Sequence, residues 1–118
     1  MPLTDEDIRR IVGLGYRPED FTVFRGGLWR LRNIGGRCVF LGEDGMCRIY
    51  EHRPIGCRLY PLIEIDGRCV VDAEYCPYAY MISEEEVKRF CRDVIRLNRI
   101  LETLKEDSMY RELRFLRK

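Results

Sequence analysis

Six cysteines are the feature that most constrains how this chain of 118 residues can fold. Between six and fourteen residues separate each from the next along Cys38, Cys47, Cys57, Cys69, Cys76 and Cys91. Structural zinc sites are usually built from C-x2-C pairs, in which one tight turn supplies two thiolates to a tetrahedral ion. No C-x2-C pair occurs here, so a site shared by these cysteines has to be assembled from several elements that fold towards one point.

The cellular compartment decides what clustered cysteines do. The first ten residues, MPLTDEDIRR, have neither the basic start nor the apolar centre of a secretory signal. No apolar run approaches the roughly 18 residues that a membrane helix needs. We therefore expect a soluble cytoplasmic protein, in which cysteines more often bind a metal or carry out redox chemistry than form disulfides. Disulfides remain an alternative, because they do occur in the cytosol of hyperthermophiles.

Length and charge limit the size of the fold and the class of partner. A chain of this length forms one domain, residues 1–118, with a single modest core. Its 21 Lys and Arg residues against 20 Asp and Glu leave a formal charge of +1, which predicts no nucleic-acid partner. We expect no membrane association either. The partner class stays open, as an unknown protein or a redox partner.

A capping box marks the start of each of two predicted helices. Thr4 and Asp7 begin a short helix near the N-terminus, and Ser83 and Glu86 begin a long one over about 83–105. The long helix is predicted by apolar residues at three- and four-residue spacing, namely Val87, Phe90, Val94, Leu97, Leu101 and Leu104. After it comes a basic tail, residues 109–118, which we expect to be a solvated helical end.

Two pairs of turn residues predict β-hairpins. Gly35-Gly36 lies between two apolar stretches, and its hairpin would place Asn33 opposite Cys38 and Leu31 opposite Phe40. Asp66-Gly67 predicts the second hairpin. The expected fold is therefore α+β: a small single domain with two β-hairpins, a short N-terminal helix and a long C-terminal helix around a cysteine-rich site.

The centre of the chain, CVFLGEDGMCRIYEHRPIGCRLYP, resembles the signature of the CxxCxxCC family of cysteine-cluster proteins. That family is described as zinc- or iron-chelating and is related to part of the flagellin lysine-N-methylases. The segments PLTDEDIRRI and YCP also fit, so the resemblance covers roughly residues 2–80. The cysteine block that names the family would precede PLTDEDI and is not in this sequence. The resemblance implies a metal site with four thiolate ligands, Cys38, Cys47, Cys57 and Cys76.

The metal itself is left open by these ligands, because thiolate softness suits both zinc and a [4Fe-4S] cluster. Cys76 is followed by Pro77, and Cys-Pro at the last ligand recurs in iron-sulfur proteins. Either centre would carry about two net negative charges, whose burial needs compensation. Three arginines near the predicted ligands are candidates to supply it as cofactor-binding residues: Arg48, Arg53 and Arg58.

The remaining cysteines have more ordinary interpretations. Cys91 lies on or beside the apolar stripe of the long helix, so we expect a buried core thiol. Cys69 lies on a predicted hairpin strand, where core packing, a ligand role in place of Cys76 and a disulfide all remain open. The single histidine, His52, lies between Glu51 and Arg53 and is expected to be solvated.

The sequence therefore predicts a metal-binding protein, with an iron-sulfur cluster favoured over zinc. Electron transfer or redox sensing would follow from iron, and a structural interaction module would follow from zinc. The alternative is a metal-free protein with structural disulfides. A catalytic role related to protein methylation is a third hypothesis, but no S-adenosylmethionine-binding signature and no nucleophile with its base are visible, so whether the protein is an enzyme is left open.

Overall fold

The computed structural model describes residues 1–72 and 81–116. Its α-helices are α1 (Asp5–Gly13), α2 (Pro18–Phe21), α3 (Ile55–Leu59), α4 (Glu84–Leu104) and α5 (Ser108–Arg111). Its strands are β1 (Thr22–Arg25), β2 (Leu28–Leu31), β3 (Asn33–Ile34), β4 (Arg37–Cys38), β5 (Leu62–Ile65) and β6 (Arg68–Val71). Short 3-10 helices span Tyr50–His52 and Arg114–Leu116. The predicted α+β class is confirmed.

Each strand pairs with its neighbour in sequence to form one of three antiparallel hairpins. The hairpins predicted at Gly35-Gly36 and Asp66-Gly67 are both present, as β3–β4 and β5–β6. The β1–β2 hairpin was not predicted, and it turns through Gly26-Gly27 with φ of +63° and +82°. Leu31 pairs with Thr22 in this hairpin, and the β3–β4 ladder reaches only Asn33 and Cys38, so the prediction that Leu31 lies opposite Phe40 stays a prediction.

The N-terminal segment and α1 enter the core together. The capping box is present: Thr4 Oγ1 accepts a hydrogen bond from the Asp7 backbone N–H, and Asp7 Oδ2 accepts one from that of Thr4, both at 3.1 Å. Ile8 and Ile11 are fully buried. Ahead of α1, the Leu3 N–H donates to the Trp29 carbonyl at 2.8 Å. The first residues of the chain therefore run alongside β2.

The long helix α4 follows the prediction over most of its length. It begins after the cap of Ser83 on Glu86 and ends at Leu104. The apolar stripe is buried in its second half, at Val94, Leu97, Leu101 and Leu104. Phe90, in the first half, is 38% exposed. This helix packs against α3 and against both strands of the β5–β6 hairpin.

The C-terminal segment is not the solvated helical end that the sequence predicts. Tyr110 is only 1% exposed, and its hydroxyl donates to the Leu3 carbonyl at 2.7 Å while accepting from the Trp29 N–H at 2.8 Å. Phe115 stacks at 6.3 Å from the Tyr110 ring. The segment changes direction at Asp107, which caps α5, and this turn brings the aromatic rings back onto the core.

Among residues 1–72 and 81–116, no helix combines the length and the apolar character that crossing a bilayer requires.

Candidate metal centre

Cys38 lies at the end of the short β3–β4 hairpin. It pairs with Asn33, which confirms the predicted register. Its side chain is half-buried and packs beside the hydrophobic core. The Cys38 carbonyl accepts a hydrogen bond from the Leu41 N–H at 2.9 Å, so the chain turns immediately after this residue. The hairpin thus presents the thiol at the edge of the core.

Cys47 returns beside Cys38 through a tight loop. Gly45 has a φ of +81°, and the Gly42 N–H donates to the Met46 carbonyl at 2.9 Å. The loop brings Leu41 and Cys47 into an isolated antiparallel bridge. Glycine suits this position because its lack of a Cβ allows a left-handed backbone. The thiols of Cys38 and Cys47 therefore come from the two arms of one loop.

Cys57 is carried by α3, which begins after Pro54 as predicted. Its approach to the core is fixed by α1, because Asp7 Oδ1 accepts a hydrogen bond from the Ile55 N–H at 3.1 Å. Arg10 adds to this attachment by donating to the carbonyl of Arg53 at 3.0 Å. Cys57 is itself half-buried.

The three thiols lie at the margin of one hydrophobic core, since Cys38, Cys47 and Cys57 all pack against it. The pKa of the Cys57 thiol is raised to about 11, chiefly by burial and next by the charge of Cys38, with a smaller contribution from Cys47. The α-amine of Met1 acts in the opposite direction on Cys57. Burial and Arg30 lower the pKa of that amine, while Cys57 and Cys38 raise it. We call Cys38, Cys47 and Cys57 the three-thiol site.

The donor chemistry of the three-thiol site fits a thiophilic metal. All three of its cysteines are free thiols. Across residues 1–72 and 81–116, however, no three or more Cys, His, Asp or Glu side chains are already arranged as a complete metal-binding group. The predicted fourth ligand, Cys76, lies outside the described residues. The assignment of these four ligands therefore stays a prediction.

The three predicted arginines differ in how exposed they are to solvent. Arg53 is half-buried; its Nε donates to the Tyr50 carbonyl at 2.9 Å, and its guanidinium lies 4.0 Å from the centre of the Tyr50 ring. Arg48 and Arg58 are exposed. His52 is exposed as expected. The role of the arginines as charge partners of a metal centre stays a prediction.

Cys69 and Cys91 form a disulfide, with their Cα atoms 5.7 Å apart. The prediction of a buried core thiol at Cys91 is therefore wrong, and of the three possibilities open for Cys69 the structure shows the disulfide. The physical reason is long-range packing: α4 lies against β6, and this brings two residues that are 22 positions apart within bonding distance. Both residues are half-buried.

Asp7 and Arg10 are positioning residues that the sequence alone did not reveal. Asp7 is fully buried and forms an ion pair with Arg10, with 2.7 Å between Oδ1 and Nη2. The capping-box pattern identified Asp7 only as part of a helix start. Its second partner, the Ile55 N–H, lies 48 residues away and leaves no local signal.

Comparison with known proteins agrees with the resemblance in the cysteine segment. Residues 1–77 match the CxxCxxCC family, described as a "Putative zinc- or iron-chelating domain". The chain is 35% identical over 66 residues to the uncharacterised protein MJ0661 of Methanocaldococcus jannaschii. That alignment covers 50% of this chain and 36% of the relative, little more than a third of its length. No solved structure gives a significant match. On the extent of the family match, the chain belongs to the CxxCxxCC family.

Proposed function

We propose that this protein binds a metal centre through cysteine thiolates, with Cys38, Cys47, Cys57 and Cys76 as ligands. The proposed cofactor is a [4Fe-4S] cluster in preference to a single zinc ion. When bound, such a cluster supplies one-electron redox chemistry at a potential set by its surroundings. The corresponding role is electron transfer or redox sensing in the cytoplasm, with an unknown protein as redox partner.

The observation that carries the proposal is that three free thiols from separate elements pack against the same core. Cys38 comes from a hairpin, Cys47 from the loop after it and Cys57 from α3, yet the charges of the first two act on the third. Three thiolates confined together repel one another, and a bound cation removes that repulsion. The family's description as zinc- or iron-chelating supports the same reading.

Iron is preferred over zinc on the chemistry of the sequence around the ligands. The Cys76-Pro77 pair is typical of the last ligand of a cluster, and ligands spread over separate elements differ from the paired knuckles of structural zinc sites. Arg48 and Arg58, both exposed, have side chains long enough to turn towards a negatively charged centre. Arg53 would have to leave its contact with Tyr50 to do so.

Anaerobic purification followed by a visible spectrum and elemental analysis tests the proposal. A brown protein with about four irons per chain is the expected result. A colourless protein with about one zinc would replace the cluster by a structural zinc interaction module. A protein that takes up neither metal, even after anaerobic reconstitution with iron and sulfide or with zinc, would overturn the proposal in favour of a metal-free protein.

Serine variants assign the ligands. Cys38→Ser, Cys47→Ser, Cys57→Ser and Cys76→Ser should each lower the metal content well below that of the parent protein, since serine is a poor ligand for soft metals. The matched control is the double variant Cys69→Ser/Cys91→Ser, which removes two cysteines outside the three-thiol site and should retain full metal content. A Cys76→Ser variant that keeps the full metal content would remove Cys76 from the ligand set.

A further inference from the structure

The Cys69–Cys91 disulfide joins two parts of the chain that differ in family membership. Cys69 lies on β6, inside residues 1–77 that match the family, whereas Cys91 lies on α4, beyond that match. The bond therefore fastens the cysteine-rich part of the protein to a helix that the family match does not include. None of the ligands proposed above takes part in it.

We propose that Cys69–Cys91 is a thiol-exchange site. Its substrate is a thiol or dithiol reductant, and its opening loosens the attachment of the β5–β6 hairpin to α4. In the oxidised state the bond holds the hairpin against the helix. In the reduced state the hairpin is held by non-covalent contacts alone.

Access to the disulfide is the first observation behind this proposal. The two half-buried cysteines line an open depression of about 760 Å³ between the hairpin and α4. Apolar walls are provided by Val70, Val71 and Val87. A depression of this size admits a small thiol or the exposed loop of a dithiol protein, whereas a sealed disulfide would react only after unfolding.

Charge near the disulfide is the second observation. Arg68 from the hairpin and Lys88 from the helix line the same depression, as does one carboxylate, Glu84. Nearby Arg and Lys side chains favour the thiolate over the thiol, which improves cysteine both as a leaving group and as a nucleophile. The surroundings thus favour exchange at this bond in both directions.

The non-covalent attachment of the hairpin is the third observation. Leu62, at the start of β5, is buried, and Asn98 Nδ2 donates to Glu64 Oε2 at 3.1 Å. The turn end of the hairpin is open to solvent, with Ile65 53% exposed. Cys69 pairs with Glu64 across the hairpin, so the disulfide attaches β6 to α4 at the level where Glu64 attaches β5. The bond therefore controls how firmly β6 and the turn beyond it are held to α4.

The reaction balances with two thiols as the reductant. A thiolate attacks one sulfur of the pair, so a new S–S bond forms as the Cys69–Cys91 bond breaks, and the other cysteine leaves as a thiolate that takes up a proton. A second thiolate then attacks the mixed disulfide. The products are the reductant's own disulfide and two protein thiols, with two electrons passed to the protein.

The test combines peptide mapping with hydrogen exchange on the full-length protein. Alkylation without reductant, followed by digestion and mass spectrometry, should find Cys69 and Cys91 in one linked peptide. Dithiothreitol added under native conditions should separate that peptide without denaturant. Amide exchange should then rise at least tenfold in residues 62–71, while α1 and the β1–β2 hairpin keep their protection.

Matched variants make the result decisive. Cys69→Ser/Cys91→Ser should show the fast exchange of residues 62–71 with or without dithiothreitol, and Cys38→Ser should respond as the parent does. Three results would overturn the proposal: Cys69 and Cys91 recovered as free thiols from protein purified without reductant, cleavage that requires denaturant, or hairpin exchange unchanged by cleavage. None of these readouts depends on whether a metal is bound.

Discussion

Asp7 makes more stabilising contacts than its place in a helix cap suggests. Its buried carboxylate accepts hydrogen bonds from the Thr4 N–H, the Ile55 N–H and the Arg10 guanidinium. One side chain thereby caps the start of α1 and fixes the start of α3, the helix that bears Cys57. Removing it leaves three donors without an acceptor, two of them backbone groups that the fold cannot redirect.

We expect Asp7→Ala to lower the free energy of unfolding by about 2–4 kcal/mol, from lost charged hydrogen bonds and stranded donors. The matched control is Asp20→Ala, because Asp20 also pairs with an arginine three residues away, Arg17, but is exposed. Exposed pairs contribute less than about 1 kcal/mol. Urea unfolding of the three proteins measures the difference, and equal losses in both variants would contradict the role given to Asp7.

Ionisation of Tyr110 makes the free energy of unfolding depend on pH in the alkaline range. Burial raises the pKa of its phenol to about 12, partly offset by the hydrogen bond from the Trp29 backbone. In the unfolded chain a tyrosine ionises near pH 10. The folded state therefore holds the proton over an interval where the unfolded state has lost it. The stabilisation is complete below about pH 10 and is lost as the pH rises towards about 12.

Tyr110→Phe should remove this part of the pH dependence. It should also lower the free energy of unfolding at neutral pH by about 1–3 kcal/mol, because the Trp29 N–H and the Leu3 carbonyl lose their partner. Denaturant unfolding at pH 8, 10 and 11 measures both effects. Tyr50→Phe, at an exposed position, serves as the control and should follow the parent at every pH.

At the scale of elements, the sequence was enough to predict a helix or a hairpin wherever one or two residues determine the backbone conformation. The capping-box patterns at Thr4 and Ser83 located both main helices, and Asp66-Gly67 located a hairpin. The β1–β2 hairpin was missed although its Gly26-Gly27 pair is the same kind of turn signal as Gly35-Gly36. The return of Tyr110 to the core depends on a partner 107 residues away.

In the candidate site too, local sequence patterns predicted some features, whereas others depend on tertiary contacts. The family signature pointed to Cys38, Cys47 and Cys57, and the structure packs all three against the same core as free thiols. The pairing of Cys69 with Cys91 depends instead on how α4 lies against β6, a tertiary contact with no local sequence pattern. Hydrophobic spacing correctly placed Cys91 near the apolar stripe of α4, but it could not predict that Cys69 of β6 would contact it.

The buried half of α4 is expected to hold this element in place. Leu101→Ala should lower the free energy of unfolding by about 2–5 kcal/mol, because Leu101 is 6% exposed and its removal leaves a cavity between α4 and α3. Ile100→Ala changes the adjacent residue, which is 38% exposed, and should cost less than half as much. Thermal unfolding followed by circular dichroism compares the two. Similar losses would mean that the exposed side of α4 is covered as well.

At the scale of the whole molecule, the cysteines of the three-thiol site come from separate parts of the chain. Cys38 and Cys47 belong to one loop, while Cys57 belongs to a helix that is attached to α1 and packs on α4. A metal bound by all three would cross-link these parts in the folded state alone. Because the unfolded chain does not hold these thiols together, metal affinity and folding stability are linked.

Metal removal should therefore lower the stability of the whole protein. At a free metal concentration about 100 times the dissociation constant, linkage predicts about 2.7 kcal/mol of added stability, which a chelator should abolish.

Cys57→Ser should show the same unfolding midpoint with metal and with chelator, because the thiolate that α3 contributes is gone. Cys69→Ser/Cys91→Ser should keep the full difference between the two conditions, although its midpoint is lower in both for lack of the disulfide. Thermal unfolding under anaerobic conditions measures all three proteins. A parent protein whose midpoint is unchanged by chelation would show that the thiols converge without binding metal.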